Sequence, residues 1–480
     1  MNSTPGIKKS GSKRNIPLGE LKSVVGEAHL LSHPEDLMLY EYDGLSSEGM
    51  PDAVVFPAST SEVAAVVKLA GRCGTPVVAR GAGTGLSGGA VVTEGGIVVS
   101  LSRMKRILEI DLENERARVQ PGVVNLDLSL ALSDAGYYYA PDPSSQKACT
   151  LGGNVAENSG GPHTLAYGVT TNHVLGLEMV LPDGSVIHAG GKCWDRPGYD
   201  LTGLTVGSEG TLGIVTEITV RICRKPEAVK TLLAVYDRCH DASRTVASIT
   251  ARGMTPAALE MMDGFTLRAV EAATHAGYPL DSAAVLLIEL EGLEEAVEEE
   301  AEQIEAACLE NHARLVRRAQ TAEERDLLWR GRKNAFGALG RISPSYYVQD
   351  GVIPRTRLPE IMDYIEEVAK QYGLSIGNIF HAGDGNLHPL LMYDRRDADE
   401  CRRVAKAAAE IIARCVELGG SITGEHGVGI EKSELMPLLF SEDDLEMMRR
   451  IKSVFNPEAT LNPGKVFPAG KMCGELRVKM

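Results

Sequence analysis

Two imidazoles bracket a Gly-Asp-Gly-Asn turn in His381-Ala382-Gly383-Asp384-Gly385-Asn386-Leu387-His388. A two-residue hairpin about Asp384-Gly385 pairs Gly383 with Asn386 and sets His381 across from His388. Opposed residues share one face, with Cβ atoms roughly 4.5–5.5 Å apart, a fit spacing for two nitrogens on one metal ion. Downstream, Gly424-Glu425-His426-Gly427 offers a third ligand and a base. Three of the eleven histidines lie in these two short segments. An exposed hairpin with incidental histidines is the plainer alternative. Two His, one carboxylate and open positions would form a catalytic rather than a structural site. His426 is the candidate general base, because an unshifted His titrates near neutral pH and a neighbouring cation lowers that value. Glu425 and His426 are adjacent and diverge in an extended segment, so Gly424 and Gly427 must supply a bend.

A second kind of chemistry belongs to glycine. Val77-Val78-Ala79 leads into Arg80-Gly81-Ala82-Gly83-Thr84-Gly85-Leu86-Ser87-Gly88-Gly89. Glycines let the backbone approach an anion, and successive N–H groups form a nest for a diphosphate. A Walker loop is excluded, since Gly88-Gly89-Ala90 stands where Gly-Lys-Ser/Thr is required. Gly83 to Gly88 matches the dinucleotide spacing, but that fingerprint opens a helix, and Val91–Ser100 reads as strand. Two further glycine-rich regions follow. One joins Pro141-Asp142-Pro143-Ser144 to Leu151-Gly152-Gly153-Asn154 and Glu157-Asn158-Ser159-Gly160-Gly161; the other is Gly207-Ser208-Glu209-Gly210-Thr211-Leu212-Gly213-Ile214-Val215. Three such loops imply a long ligand lying across one domain.

These segments need a large scaffold. The 480 residues exceed one ordinary core, so two or three domains are expected. Hydrophobic content of 44% and charged content of 24% are those of a globular protein. No apolar run is long enough to span a bilayer. The polar, basic N-terminus has no apolar core of a secretory signal. Nine scattered Cys without Cys-x-x-Cys fit reduced thiols in a cytoplasmic setting and no cysteine-held cluster. The net charge of −16 argues against nucleic acid as partner. An anionic substrate then needs a local metal, Arg or helix terminus.

Residues 1–45 read as a loose start and a short helical lead-in. Strands are expected at 53–56, 76–79, 96–101, 107–111, 116–120 and 213–222, a helix after Ser59-Thr60-Ser61-Glu62, and a hairpin from 174–181 to 185–189. Arg224-Lys225-Pro226 marks a boundary. Beyond it strands (231–236, 257–262, 284–291, 346–348, 376–380) alternate with helices (240–251, 293–310, 323–339, 358–372, 398–418), which suggests an α+β cap. Glu294–Glu302 reads as a solvated helix face.

Together Arg80–Gly89, Pro141–Ser144, Leu151–Gly161, Gly207–Val215, His381–His388, Gly424–Gly429 and Leu461-Asn462-Pro463-Gly464-Lys465 resemble the FAD-linked oxidase family with the vanillyl-alcohol-oxidase (PCMH-type) flavin domain. Leu328–Phe336 with Arg341–Pro344 is most similar to the group of glycolate oxidase FAD subunits and D-lactate dehydrogenases. The resemblance covers roughly residues 40–470. It implies an α+β fold: a lead-in (1–45), a two-subdomain PCMH-type FAD-binding domain (46–225), an α+β cap carrying the metal site (226–430), and a C-terminal helical segment returning to the flavin (431–480).

By that resemblance the FAD site is drawn from Arg80, Gly81, Ala82, Gly83, Thr84, Gly85, Leu86 and Ser87 for the diphosphate, with Pro141, Asp142, Ser144, Gly152, Gly153, Asn154, Asn158, Ser159, Gly160, Glu209, Gly210, Gly213, Ile214, Val215 and Asn462 along the rest. No His lies in 80–89 or 151–161, so FAD is expected to be non-covalent, although His163 and His173 are close in sequence. The implied reaction oxidises a small 2-hydroxy acid by hydride transfer to flavin N5. A divalent ion (Zn, Mn or Fe) on His381, His388 and Glu425 would bind the substrate hydroxyl and acidify it. His426 would take its proton, and Asn386 would hydrogen-bond substrate or flavin. Arg332 is the choice for clamping the carboxylate, with Arg330 and Lys333 as rivals.

The D-2-hydroxyglutarate branch expects a Lys near Tyr346-Tyr347-Val348-Gln349; none is present, which favours glycolate or D-lactate. Partner subunits, including an iron–sulfur protein, would pass electrons towards quinone, with peripheral membrane association through them. The rival readings are a D-2-hydroxyglutarate-type dehydrogenase, a metal-dependent hydrolase of a nucleotide-like substrate, and a non-catalytic flavin electron-transfer subunit.

Overall fold

A computed structural model of the chain describes residues 16–45, 47–193 and 197–469. The expected loose start up to residue 15, the end of the tail and Cys473 lie outside the described residues.

Among the described residues the first half carries two larger sheets and a two-stranded pairing of Tyr137–Tyr138 with Cys223–Arg224. Ala53–Val55, Ile97–Ser100 and Val77–Arg80 run parallel, and Leu30–Leu31 adds an antiparallel edge. Thr60–Arg72 is the crossover helix that parallel strands require. Ser59 caps it, its Oγ accepting from the N–H of Glu62 at 3.2 Å, and Val63, Val66, Val67 and Ala70 bury one face. The second sheet is antiparallel, in the order Ile107–Asp111, Arg116–Val119, Ile214–Arg221, Val174–Val180, Val186–Gly190. Both carry their own apolar clusters.

Two expectations here are corrected. Of Val91–Ser100 only Ile97–Ser100 is strand. Gly95 and Gly96 hold φ of +74° and +109°, and a Cβ on Gly96 would lie 2.3 Å from the Pro76 carbonyl oxygen. The Leu151–Asn154 run is no loop but the start of the helix Leu151–Glu157, capped by Thr150 Oγ1. Gly152 serves packing: a Cβ there would lie 2.5 Å from Pro121. Asn158, at φ 59°, ends the helix in the left-handed region.

The second half is built on an eight-stranded sheet, in the order Leu315–Arg318, Ala228–Tyr236, Ala284–Gly292, Ala258–Asp263, Ser375–His381, Asn386–Tyr393, Ser345–Val348, with Gly351–Val352 also pairing on Asn386–Tyr393. The helices Cys239–Ala251, Glu294–Glu310, Leu358–Tyr372 and Ala398–Glu417 cover one face. Gly264–Thr274, Ala322–Lys333 and Ala335–Leu339 cover the other. The helix expected over 323–339 is thus two helices. Asn334 separates them, its Nδ2 donating to the Arg330 carbonyl at 2.7 Å in competition with the helical ladder.

On the second face Ala258 and Met262, Val285 and Leu287, Ile379, Leu390, Met392 and Val348 form the apolar core. Strand alternation places Glu260, Glu289, Glu291, His381, Asn386 and His388 on that same face. The chemistry occupies the last rows of an otherwise apolar surface. The C-terminal helix Glu442–Phe455 is followed by a segment that returns to the first sheet, where the Asn462 N–H donates to the Val77 carbonyl at 2.8 Å.

Candidate active site

The hairpin differs from its expected register. His381 pairs with Asn386 and His388 with Ile379, around a four-residue loop. The slip is two residues, an even number, so both imidazoles stay on one face as diagonal neighbours. Their ring centroids are 5.1 Å apart. Glu425 Oε1 lies 3.2 Å from His381 Nε2 and 3.3 Å from His388 Nε2. Ligand atoms about 2.1 Å from a tetrahedral ion stand about 3.4 Å apart, so the three donors fit one ion. His388 Nε2 is buried without a hydrogen bond, as an intended ligand atom would be. His381 Nδ1–H donates to both oxygens of Glu260, at 2.8 and 3.0 Å, which fixes the ring and leaves Nε2 for an ion. Burial opposes charge on His381, yet Glu260 and Glu425 outweigh it and push its pKa well up. The pocket between those carboxylates therefore favours a cation.

His426 stacks on His388, with centroids 4.9 Å apart and planes within 5°. Burial lowers its pKa to about 4, so the ring is neutral at pH 7 and able to accept a proton. Gly427 and Gly429, at φ +84° and +52°, supply the bend. Gly424 instead supplies space, since a Cβ there would lie 2.6 Å from Asn386 Nδ2. Asn386 is buried against Gly424 and its Oδ1 has no partner.

His388, Glu425 and His426 line a cavity of about 400 Å³ that is also lined by Arg80 to Leu86, Ser144, Gly152 to Asn154, Ser159, Glu209, Gly210, Gly213 to Val215 and Asn462. Among the described residues no N–H from Gly81 to Leu86 donates to a protein acceptor. Arg80 Nη1, Asn154 Nδ2 and Asn462 Oδ1 are buried at this cavity without partners. Free N–H groups and unpaired polar atoms along a long cleft fit a dinucleotide such as FAD.

Five expected FAD contacts lie outside that lining. Ser87 gives its carbonyl to the N–H of Ile430 and Glu431, and Asn158 Oδ1 accepts from the N–H of Thr171. Gly160 abuts Glu425, with a built Cβ 2.9 Å from Oε2. Pro141 accepts from Asn125 Nδ2, and Asp142 accepts from His163.

Arg332 is buried behind His381, its Nη2 ion-paired with Glu260 Oε2 at 2.5 Å and its Nε without a partner, and it does not line the cavity. Lys333 lines the cavity but lies 3.5 Å from Asp142; Arg330 is exposed. Phe336, Tyr346 and Val348 form the apolar wall.

Beside the cavity His163 joins the two halves. Nδ1–H donates to Asp142 at 3.0 Å, Nε2–H donates to Glu289 at 3.2 Å, and the ring stacks on Trp329 at 5.7 Å. Arg325 and the Trp329 indole also bond Glu289. Burial opposes the charge on His163, but Asp142 and Glu289 raise its pKa to about 10. His173 is buried, with Nε2–H donating to the Tyr167 carbonyl at 2.9 Å.

Sequence reasoning missed Glu260, Glu289 and Asp350. The first two are acids at inward positions of largely apolar strands, and that misfit was the available signal. Asp350, fully buried at the end of the cap sheet, lies 3.5 Å from His388 Nε2 and had no motif.

A family model described as FAD binding domain matches residues 51–190, and one described as FAD linked oxidases, C-terminal domain, matches 225–466. The chain is 46% identical over 463 residues to the glycolate oxidase subunit GlcD of Escherichia coli (strain K12), covering 96% of this chain and 93% of that one. It is 46% identical to the GlcD subunit of Bacillus subtilis (strain 168), covering 90% and 92%, and 35% identical to a D-lactate dehydrogenase of Anaerostipes hadrus, covering 87% and 89%. Among solved structures, p-cresol methylhydroxylase with substrate bound superposes with a TM-score of 0.80 at 18% identity, covering 94% and 96%. The 4-ethylphenol oxidase of Gulosibacter chungangensis gives 0.78 at 19%, covering 94% and 97%, which shows the fold.

Proposed function

Because this chain belongs to the FAD-linked oxidase family, we propose that it oxidises glycolate or D-lactate to the 2-oxo acid, with non-covalent FAD and a divalent ion on His381, His388 and Glu425. The observation that carries this reading is the shared cavity. His388, Glu425 and His426 line it together with the glycine loop of residues 80–86. The relatives named as glycolate oxidase subunits and D-lactate dehydrogenase support the substrate class, and these oxidoreductases leave the hydrolase reading without support.

When bound, FAD supplies the acceptor for the two electrons of the Cα–H bond, and the divalent ion supplies Lewis acidity at the hydroxyl. The residues of the chain do the rest. His426, neutral by burial, takes the hydroxyl proton. Arg332 holds the carboxylate through Nε, its unpartnered donor, its Nη2 being paired with Glu260; Lys333, which lines the cavity, is the rival. Asn386 offers its unpartnered Oδ1 to the substrate. Phe336, Tyr346 and Val348 exclude water and leave room for a short side chain. Tyr347, on the opposite face of its strand from Tyr346 and Val348, packs against the other core, and the strand Ser345–Val348 carries no cation for a second carboxylate. His163 does not tether the flavin, since both its ring nitrogens are held by carboxylates.

The name "subunit" on the GlcD relatives supports partner subunits, with an iron–sulfur protein among them receiving the electrons. No described helix is long and apolar enough to cross a membrane, and cytoplasmic placement with peripheral attachment through partners completes the proposal. Anaerobic mixing of the yellow protein with D- and L-2-hydroxy acids tests the reaction. Glycolate or D-lactate should bleach the flavin; no bleaching by any 2-hydroxy acid would contradict it.

A further inference from the structure

We propose that Asp350 and Glu209 are paired positioning residues, two buried carboxylates from opposite halves of the molecule that grip the Gly424–Gly429 backbone and so place Glu425 and His426 at the cavity. The inference rests on the ligand and base roles given above to those two residues.

Asp350 stands at the end of the cap sheet and is fully buried. Its carboxylate accepts from three consecutive N–H groups: Gly424 at 3.0 Å, Glu425 at 3.2 and 3.3 Å, and His426 at 3.0 Å. The Thr423 hydroxyl donates to it at 2.5 Å, and the Lys432 ammonium lies 3.2 Å away. From the flavin half, Glu209 accepts from the N–H of Val428 at 2.7 Å and of Gly429 at 2.8 Å. The N–H groups of 424, 425 and 426 therefore face one carboxylate, and those of 428 and 429 face the other. Gly427 is the pivot between them. Its φ of +84° reverses the chain, and its carbonyl accepts from Lys432 Nζ at 3.4 Å. No side chain fits there, since a Cβ would meet Glu157 Oε2 at 2.2 Å.

Charge-assisted bonds to backbone N–H are about twice as strong as neutral ones, so a segment held by five of them has little freedom to shift. The two anchors divide the work. Asp350 holds the residues that carry the third ligand and the base, so it governs how well Glu425 meets His381 and His388. Glu209 holds the residues beyond the pivot against the flavin half, so it governs how that turn sits relative to the glycine loop. The substitution Asp350→Asn would keep the shape, but the amide it introduces would turn an N–H towards the backbone N–H groups or the Lys432 ammonium.

The test uses the flavin-loaded full-length protein and measures zinc and manganese affinity by chelator competition, FAD stoichiometry, kcat and KM. Asp350→Asn should weaken metal binding about 10–100-fold and lower kcat, with FAD stoichiometry unchanged. Glu209→Gln should keep metal affinity within about threefold of wild type while kcat falls and KM changes little. Should Asp350→Asn fail to fold, Thr423→Val removes one donor from the same carboxylate and should weaken metal binding by about fivefold. Wild-type metal affinity and kcat in Asp350→Asn, or in Thr423→Val, would overturn this inference alone. A wild-type protein that binds neither metal would overturn the reading of the site and this inference with it.

Discussion

On the wall formed by residues 80–90, the N–H groups from Gly81 to Leu86 face no protein acceptor among the described residues. On the opposite wall nearly every ionisable group already has a charged neighbour: His381 lies between Glu260 and Glu425, and Arg332 behind Glu260. The first wall is made of backbone and is prepared for a large anionic ligand. The second is made of side chains whose charges compensate one another, and His426 is held neutral there, at a pKa of about 4. The contrast teaches that the unpartnered backbone donors and the compensated side chains come from different halves, which meet at one cavity.

Substitutions on the two walls should therefore fail in different ways. The largest effect is expected from His426→Ala, which should lower the rate of flavin reduction by about 10²–10⁴-fold while the flavin spectrum is retained, read by anaerobic stopped flow. Next is the seam. His163→Gln leaves Asp142 and Glu289 without their shared cation and should cost about 3 kcal/mol of stability, measured by denaturant unfolding. Because the folded pKa of His163 is raised to about 10 from an unfolded value near 6.5, its contribution is complete below about pH 6.5 and is lost as pH rises through about 10. The gap between wild type and variant should accordingly shrink from pH 7 to pH 10. The smallest effect belongs to the backbone wall. Gly83 holds φ +73°, and a Cβ there would lie 2.2 Å from Arg80 Nη2. Gly83→Ala should weaken FAD binding by about 1–3 kcal/mol, read by flavin titration, with metal affinity at the cap unchanged.

The same contrast explains what the sequence disclosed. Glycine loops, the His381–His388 hairpin and the Gly424–Gly429 turn are local in sequence, and their spacing carries their chemistry. The hairpin register lies two residues from the expected one, yet period-two alternation keeps both imidazoles on one face. Capped, amphipathic elements such as Thr60–Arg72 were legible, whereas Leu151–Glu157 was obscured by two glycines in its first turn, of which Gly152 answers to the neighbouring Pro121. Glu260 and Asp350 were not found. Their partners lie 121 and 75 residues away, at His381 and Glu425, and only the fold brings them together.

The central claim is that a divalent ion on His381, His388 and Glu425 and a flavin on the glycine loops act on one substrate in one cavity. The most direct measurement is anaerobic flavin reduction by glycolate or D-lactate before and after metal removal, with FAD retention verified. The expected result is that bleaching disappears on chelation and returns when metal is added back. Bleaching at the original rate in verified metal-free protein would contradict the account.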